Sequence, residues 1–226
     1  MKLGVLYSGG KDSTLALMKA KEKHEIVCLI TLRSANKESY MFHTPNIDIT
    51  QLQAEAMQIP LLTFETKGEK EKELVDLKKS ISEAKQKYKL DGIVTGALCS
   101  KYQADRIQKI CDDLELRCVN PLWQMNQIKL LNELLEKKIR AIIVGVFAEP
   151  LDKTFLGKEI DAKMIERLAK AEETHKINPA GEGGEIETTV IDAPCFNKKI
   201  EILNSEIKYQ KDSGVFLIVD AKLTEK

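Results

Sequence analysis

The sequence predicts an α/β protein with a doubly wound parallel sheet, followed by a smaller α+β domain. In the first half of the 226 residues, short apolar runs of strand length alternate four times with helical patterns, which is typical of a parallel sheet covered by helices. Residues 25–32 form one such run, as expected for a strand buried on both faces. After residues 181–184, Gly-Glu-Gly-Gly, period-two stretches alternate with turn signals. We therefore expect a first domain over 1–123 and a second over 124–226.

The first domain is predicted to alternate strands and helices, which places its polar loops at one edge of the sheet. The predicted strands cover 3–6, 25–32, 60–64, 90–96 and 117–119, and the helices start at Lys11 and cover 47–58, 68–89 and 103–114. Ligands of such sheets bind beyond the carboxyl ends of the strands. Three polar segments fall there, namely 8–13, 40–46 and 96–106. Their convergence predicts a functional site at this edge.

The second domain is predicted from one further helix–strand pair and a run of strands. The break at 120–123, Asn-Pro-Leu-Trp, marks its beginning. A helix over 127–138, an apolar run over 140–148, a loop and helix over 155–173, and strands over 185–192, 198–209 and 214–223 follow in order.

Composition disfavours several classes of function. Lysine and arginine together number 35, as do aspartate and glutamate, so no general basic field attracts nucleic acid or membranes. No apolar run is long enough to span a bilayer, and the amino terminus enters a strand instead of a signal peptide. The five cysteines form no C-x-x-C pair, which indicates free thiols in a reducing cytoplasm. We expect a cytoplasmic protein that binds neither membranes nor nucleic acid directly.

The segment 8–13, Ser-Gly-Gly-Lys-Asp-Ser, lies where the first strand ends and a helix begins. Its glycines lack a Cβ atom, so the backbone can approach a ligand closely. The first N–H groups of the helix have no partner within it and carry partial positive charge, which suits phosphate. A Walker A loop would need Gly at Val5 and Ser or Thr at Asp12, and the motif G-x-G-x-x-G is absent. The alternative is an ordinary glycine-rich turn with Asp12 as the helix N-cap.

The segment 8–13 resembles the pyrophosphate-binding loop of the ATP pyrophosphatases, which cleave ATP between its α- and β-phosphates. Three further stretches are long and unusual, at 39–45 (Ser-Tyr-Met-Phe-His-Thr-Pro), 96–106 and 181–194. Together the four resemble the diphthine–ammonia ligase family over the whole chain, in the shape of its short archaeal form. The resemblance implies a HUP-like adenine nucleotide α-hydrolase fold. Ile186 departs from the family, which often has an aromatic residue there.

The resemblance implies ATP-dependent amidation of the diphthine residue of translation elongation factor 2, with ammonium as the nitrogen donor and AMP and pyrophosphate as the other products. A carboxylate is a poor acyl donor at neutral pH, so it first needs a good leaving group. Attack of the carboxylate on the α-phosphate would give an acyl adenylate, from which ammonia displaces AMP. Catalysis of this kind depends on positioning and on stabilising charge on the departing pyrophosphate.

ATP and Mg²⁺ are the expected cofactors, and the segment 8–13 supplies most of their predicted ligands. Lys11 adds a point charge, and Asp12 holds Mg²⁺ directly or through water. Lys11, Asp12 and Glu185 are the predicted catalytic residues. The hydroxyl and backbone donors to the pyrophosphate are Ser8, Gly9, Gly10 and Ser13.

Nucleotide and substrate contacts are also predicted outside this segment. His43, Gly96 and Arg106 are assigned to the nucleotide, and the alternatives are a structural His43 and an ordinary surface Arg106. Tyr102 and Gln103 are assigned to the substrate.

A dense group of carboxylates, Glu182, Glu185 and Glu187, lies beside two glycines. Glu185 and Glu187 would share one face of a strand that started there. We expect an anionic pocket for ammonium and for the quaternary ammonium group of diphthine. The alternative is an exposed acidic turn.

Two other functions remain open. A tRNA-modifying adenylating enzyme of the same superfamily usually needs paired cysteines or a basic RNA surface, and the sequence shows neither as a motif. A non-catalytic adenine-nucleotide-binding module generally loses the loop 8–13, which is intact here. No glutamine-hydrolysing domain is evident, because neither Cys99 nor Cys195 has a recognisable set of partners. A homo-oligomer is compatible with the sequence.

Overall fold

Two groups of elements follow one another in the computed structural model, which describes residues 1–34, 45–69 and 72–226. The first group is β1 (Lys2–Leu6), α1 (Lys11–Lys21), β2 (Glu25–Ser34), α2 (Ile49–Met57), β3 (Leu61–Thr66), α3 (Lys72–Tyr88), β4 (Gly92–Val94), α4 (Lys101–Asp113) and β5 (Arg117–Val119). The second group is α5 (Gln127–Glu136), β6 (Arg140–Val146), α6 (Ala162–His175), β7 (Ile186–Asp192), β8 (Lys199–Gln210) and β9 (Ser213–Thr224).

The first sheet is parallel, with its strands in the order β3-β2-β1-β4-β5. The chain winds outward from β1 in one direction and then returns to β4, so the order reverses between β1 and β4. Alternate residues of β2 enter opposite cores, because Leu29 packs with α1 and α2 while Cys28 and Ile30 pack with α3 and α4. Helices therefore cover both faces, which confirms the doubly wound prediction.

The second sheet is antiparallel, with the order β7-β6-β9-β8. Its inner face packs against α1 and α2, so these helices lie between the two sheets. Leu17 of α1, Ala54 of α2 and Val190 of β7 belong to one continuous hydrophobic cluster. One core thus serves both halves of the chain, and a division at residue 123 stays a prediction.

Several elements differ from their predicted bounds by a few residues, and for β4 and α4 the structure shows a local reason. β4 stops at Val94 because Thr95 turns the chain, with its Oγ1 donating to Asn120 Oδ1 at 2.7 Å. α4 begins at Lys101, because Ser100 is its N-cap and accepts the backbone N–H of Gln103 at 3.3 Å. All five cysteines are free. None of the helices in the described ranges has the length and apolarity that a membrane crossing requires.

Replacing Leu17 with alanine should lower the free energy of unfolding by about 3 kcal/mol, because it leaves a cavity in the core between the sheets. Leu17 is fully buried, whereas Leu203 on β8 is 48% exposed. The matched variant Leu203→Ala should change stability by less than about 0.5 kcal/mol. Urea denaturation of both variants measures the difference, and equal losses would contradict the shared core.

Candidate active site

The candidate site lies at the carboxyl ends of β1 and β4, where the first sheet changes direction. The segment 8–13 connects β1 to α1, and residues 95–100 connect β4 to α4. A third segment, 178–187, leads into β7 of the second sheet and is hydrogen-bonded to both connections. Three distant parts of the chain therefore meet at the edge that the sequence predicts.

The N-cap residue of α1 contributes no side-chain cap to the helix. This residue is Gly10, which has no side chain that could accept a hydrogen bond from the first turn. Asp12 lies inside the first turn, which excludes the alternative in which Asp12 caps the helix. The backbone N–H of Lys11 donates to Oγ1 of Thr188, on β7, at 3.2 Å. The second sheet thus lines the positive end of the helix on one side.

Gly9 has a left-handed backbone, with φ +80°, and its carbonyl oxygen is held from two directions. The N–H of Val190 and Nε2 of the fully buried Gln53 each donate to it at 2.9 Å. Nε2 of Gln53 also donates to the carbonyl of Val190 at 2.7 Å. A Cβ atom at residue 9 would lie 2.4 Å from Oε1 of Gln53, so only glycine fits. Contacts with α2 and β7 therefore fix the shape of the loop.

The hydroxyls of Ser8 and Ser13 face each other across the loop at 3.3 Å. Ser13 Oγ donates to the carbonyl of Gly10 at 3.1 Å, and the N–H of Gly10 donates to Ser8 Oγ at 3.4 Å. A Cβ atom at Gly96 would lie 2.9 Å from the backbone N of Ser13. The connection that follows β4 therefore abuts the first turn of α1.

Lys11 and Asp12 take part in a largely buried network. Nζ of Lys11 donates to Oδ2 of Asp12 at 2.8 Å and to the carbonyl of Ala180 at 2.6 Å, and Lys11 is only 2% exposed. The predicted point charge is thus turned toward the segment 178–187. The other oxygen of Asp12, Oδ1, is buried and has no hydrogen-bond partner among the described residues. Such an orphaned carboxylate oxygen suits a cation.

Mg²⁺ fits this arrangement if most of its ligands come from a nucleotide and water instead of from the protein. Within the described ranges, no group of three His, Cys, Asp or Glu residues could hold a metal. Mg²⁺ usually binds one or two carboxylates together with phosphate oxygens and water. Oδ1 of Asp12 offers one such carboxylate ligand.

The predicted residues of α4 lie together at its amino end. The guanidinium of Arg106 stacks on the ring of Tyr102, with Cζ 3.4 Å from the ring centroid. Nη1 of Arg106 also donates to the carbonyl of Tyr102 at 3.4 Å. Gln103 lies between them in the first turn. His43, which the sequence assigns to the nucleotide, lies outside the described residues.

Glu185 is tied into the segment 178–187 by three hydrogen bonds. Its Oε1 accepts the backbone N–H and the side-chain amide of Asn178 at 2.9 and 2.7 Å, and its Oε2 accepts the N–H of Gly183 at 2.8 Å. β7 begins at Ile186, after Glu185, so the condition for a strand face shared with Glu187 is not met. The Glu185 carboxylate shapes the loop that carries the other two glutamates.

Glu182 and Glu187 have carboxyl groups in poorly hydrated surroundings. Burial raises the pKa of Glu187 to about 7, with Lys11 opposing the rise and Asp12 adding to it. Burial also raises the pKa of Glu182, although its Oε2 accepts the N–H of Cys99 at 2.9 Å. A carboxylate that is costly to ionise alone gains from a bound cation.

Three residues that the sequence did not single out complete the site, namely Gln53, Thr188 and Phe147. No sequence pattern indicated that Gln53 belongs to the site, because the sequence does not show that α2 is covered by a second sheet. Thr188 belongs to the stretch 181–194 that carries the resemblance. Phe147 directly follows β6, and its N–H donates to the carbonyl of Glu185 at 2.9 Å.

Glu187 should make the protein less stable as the pH rises from about 5 to 8. Its pKa in the folded state, about 7, exceeds the ordinary value of 4.5. Between these two values the folded state keeps a proton that the unfolded state has lost, which favours folding. This contribution to stability is lost as the pH rises and the folded carboxyl ionises. In the wild type the unfolding free energy should fall by up to about 3 kcal/mol over this range, and in Glu187→Gln this fall should be absent. Urea denaturation across this pH range, without Mg²⁺ or nucleotide, measures it. Glu201→Gln, at an exposed residue, is the control, and a wild-type slope in Glu187→Gln would contradict the assigned environment.

Comparison with known proteins gives matches over most of the chain. The diphthamide synthase N-terminal domain matches residues 1–118, and the diphthamide synthase C-terminal domain matches residues 126–224. The diphthine–ammonia ligase of Bos taurus is 36% identical over 227 residues, which cover 92% of this chain and 85% of that protein. That of Homo sapiens is 35% identical, with the same coverage.

Among solved structures, a predicted subunit of tRNA methyltransferase from Methanocaldococcus jannaschii aligns with a TM-score of 0.43 at 17% identity, over 86% of this chain and 98% of that one. This likeness is too low to carry an argument about function. The two domain matches and the relatives agree with the resemblance that the sequence motifs indicate. The chain belongs to the diphthamide synthase family.

Proposed function

We propose that this chain catalyses the ATP-dependent amidation of diphthine in translation elongation factor 2, with ammonium as the nitrogen donor. Its relatives are named diphthine–ammonia ligases. The observation that carries the proposal is the hydrogen-bonded junction between the loop 8–13 and the segment 178–187, through Lys11 and Thr188. A site suited to a departing anion thus adjoins carboxylates suited to cations, and the reaction needs both.

The loop 8–13 holds the β- and γ-phosphates of ATP while the carboxylate of diphthine attacks the α-phosphate. Pyrophosphate leaves, and ammonia then displaces AMP from the acyl adenylate to give the carboxamide. Hydroxyls of Ser8 and Ser13 and backbone N–H groups of Gly9 and Gly10 stabilise the departing charge. Because Gln53 fixes the loop without nucleotide, the donors need little reorganisation during the reaction.

Oδ1 of Asp12 would hold Mg²⁺ in this proposal, and the bound ion would supply positive charge to neutralise the pyrophosphate. Lys11 holds the carboxylate of Asp12 in place through Oδ2 and links it to Ala180. The catalytic role of Lys11 is therefore to orient Asp12 and to add positive charge beside the phosphates.

Three carboxylates bind or position the cationic groups of the reaction. Glu182 and Glu187 attract ammonium and the quaternary ammonium of diphthine, because each lies in poorly hydrated surroundings. Glu185 positions their loop. The remaining proposed contacts to nucleotide and substrate are His43, Gly96, Tyr102, Gln103 and Arg106.

The proposed protein substrate indicates the cellular compartment in which this chain acts. Elongation factor 2 acts in translation, so we place the activity of this chain in the cytoplasm. Nothing in the reaction requires a second copy of the chain.

The function is tested by measuring AMP, ADP and pyrophosphate after incubation with ATP, ammonium and diphthine-bearing elongation factor 2. Parallel reactions contain unmodified tRNA or no acceptor. We expect AMP and pyrophosphate in equal amounts, together with a carboxamide on the factor by mass spectrometry, in the first reaction alone. Formation of ADP in place of AMP, or turnover that depends on tRNA, would overturn the proposal.

Asp12→Asn should lower the rate of pyrophosphate release at least about 100-fold, because it removes the charge on the oxygen proposed to hold Mg²⁺. The matched control is Asp113→Asn, at an exposed residue at the far end of α4 that pairs with Lys78. This variant should keep the wild-type rate. Denaturation midpoints confirm that both variants fold, and wild-type turnover in Asp12→Asn would remove the metal role.

A further inference from the structure

Phe147 exposes an aromatic ring beside the carboxylate-bearing segment. Its side chain is 40% exposed, and among the large hydrophobic residues that are exposed in the described ranges it is the only aromatic one. Its N–H donates to the carbonyl of Glu185, so the ring is anchored where the segment 178–187 enters β7. Exposure of a ring at this position costs hydrophobic free energy unless a ligand covers it.

Gly145 leaves the space that the ring occupies. A Cβ atom on Gly145 would lie 2.6 Å from Cε2 and 2.9 Å from Cζ of Phe147, and 3.1 Å from Cβ of Glu187. Gly145 and Glu187 are also partners in the pairing of β6 with β7. The ring and the Glu187 side chain therefore flank the same point of the second sheet.

An aromatic ring beside a glutamate side chain matches one class of ligand. A quaternary ammonium group cannot donate hydrogen bonds, so a protein recognises it through the negative face of a ring and through nearby negative charge. Inorganic ammonium is a small, strongly hydrated cation, so it loses more hydration free energy than a methylated cation does when it contacts a ring. The juxtaposition of Phe147 with Glu187 thus favours the larger, fully methylated cation.

We propose that the ring of Phe147 and the carboxylate of Glu187 together bind the quaternary ammonium group of the acceptor, with Gly145 as the residue that lets the ring lie there. This inference rests on the proposed function, since diphthine supplies the cation. It assigns Phe147 as a residue that determines specificity for the methylated acceptor.

The first test uses tetramethylammonium chloride as the probe and the full chain without nucleotide. Titration calorimetry should show saturable binding to the wild type, about tenfold weaker binding to Phe147→Leu and to Glu187→Gln, and retained binding to Phe147→Trp. Phe64→Leu, in the opposite core, is the matched control and should bind as the wild type does. A parallel titration with sodium chloride at equal ionic strength shows whether the heat comes from general charge screening. Equal affinity of wild type and Phe147→Leu would overturn the proposal.

The second test measures amidation of fully methylated diphthine and of an acceptor that lacks one methyl group. Phe147→Leu should raise the KM for diphthine about tenfold, leave the KM for ATP unchanged, and reduce the preference for the methylated acceptor. If the wild type binds tetramethylammonium through Phe147 but amidates neither acceptor, the proposed function fails and the cation site stands. If amidation occurs and Phe147→Leu changes neither KM nor preference, the cation site fails and the function stands.

Discussion

The shape of the candidate site depends on one set of hydrogen bonds, those that join the loop at Gly9 to α2 and β7. The carbonyl of Gly9 accepts N–H groups from Val190 and from the buried amide of Gln53, which also bonds back to Val190. These polar groups are buried, so losing one partner leaves the others unsatisfied at a cost of about 1–3 kcal/mol each. The left-handed backbone of Gly9 is thereby held in place by residues far along the chain.

A consequence is that neither sheet makes the site alone. The loop 8–13 belongs to the first sheet, whereas Thr188 lies on β7 of the second sheet and the loop around Glu185 leads into it. The shared hydrophobic core keeps the sheets together, and α1 and α2 pack on both. The loop 8–13 and the segment 178–187 are therefore held at a fixed separation, as the proposed reaction between an adenylated carboxylate and ammonia requires.

The fold was largely predictable because its signals are local. Apolar runs and helical periodicity gave the alternation of strands and helices, and the two cores on opposite faces of β2 follow from the same pattern. At β4 and α4 the bounds changed through a side-chain turn at Thr95 and a cap at Ser100, which override periodicity at the ends of elements. The loop 8–13 was equally predictable, since a glycine turn between strand and helix is a short-range feature.

The sequence by itself determined the doubly wound sheet, the position of the loop 8–13 between β1 and α1, and the family, because each is encoded in contiguous residues. Only the tertiary structure decided that Lys11 turns toward Ala180, that Glu185 is bound within its own loop, and that Phe147 lies beside Glu187. These relations join residues that are as many as 169 positions apart. No local pattern records them, because each depends on how segments that are separate in the sequence meet in the folded chain.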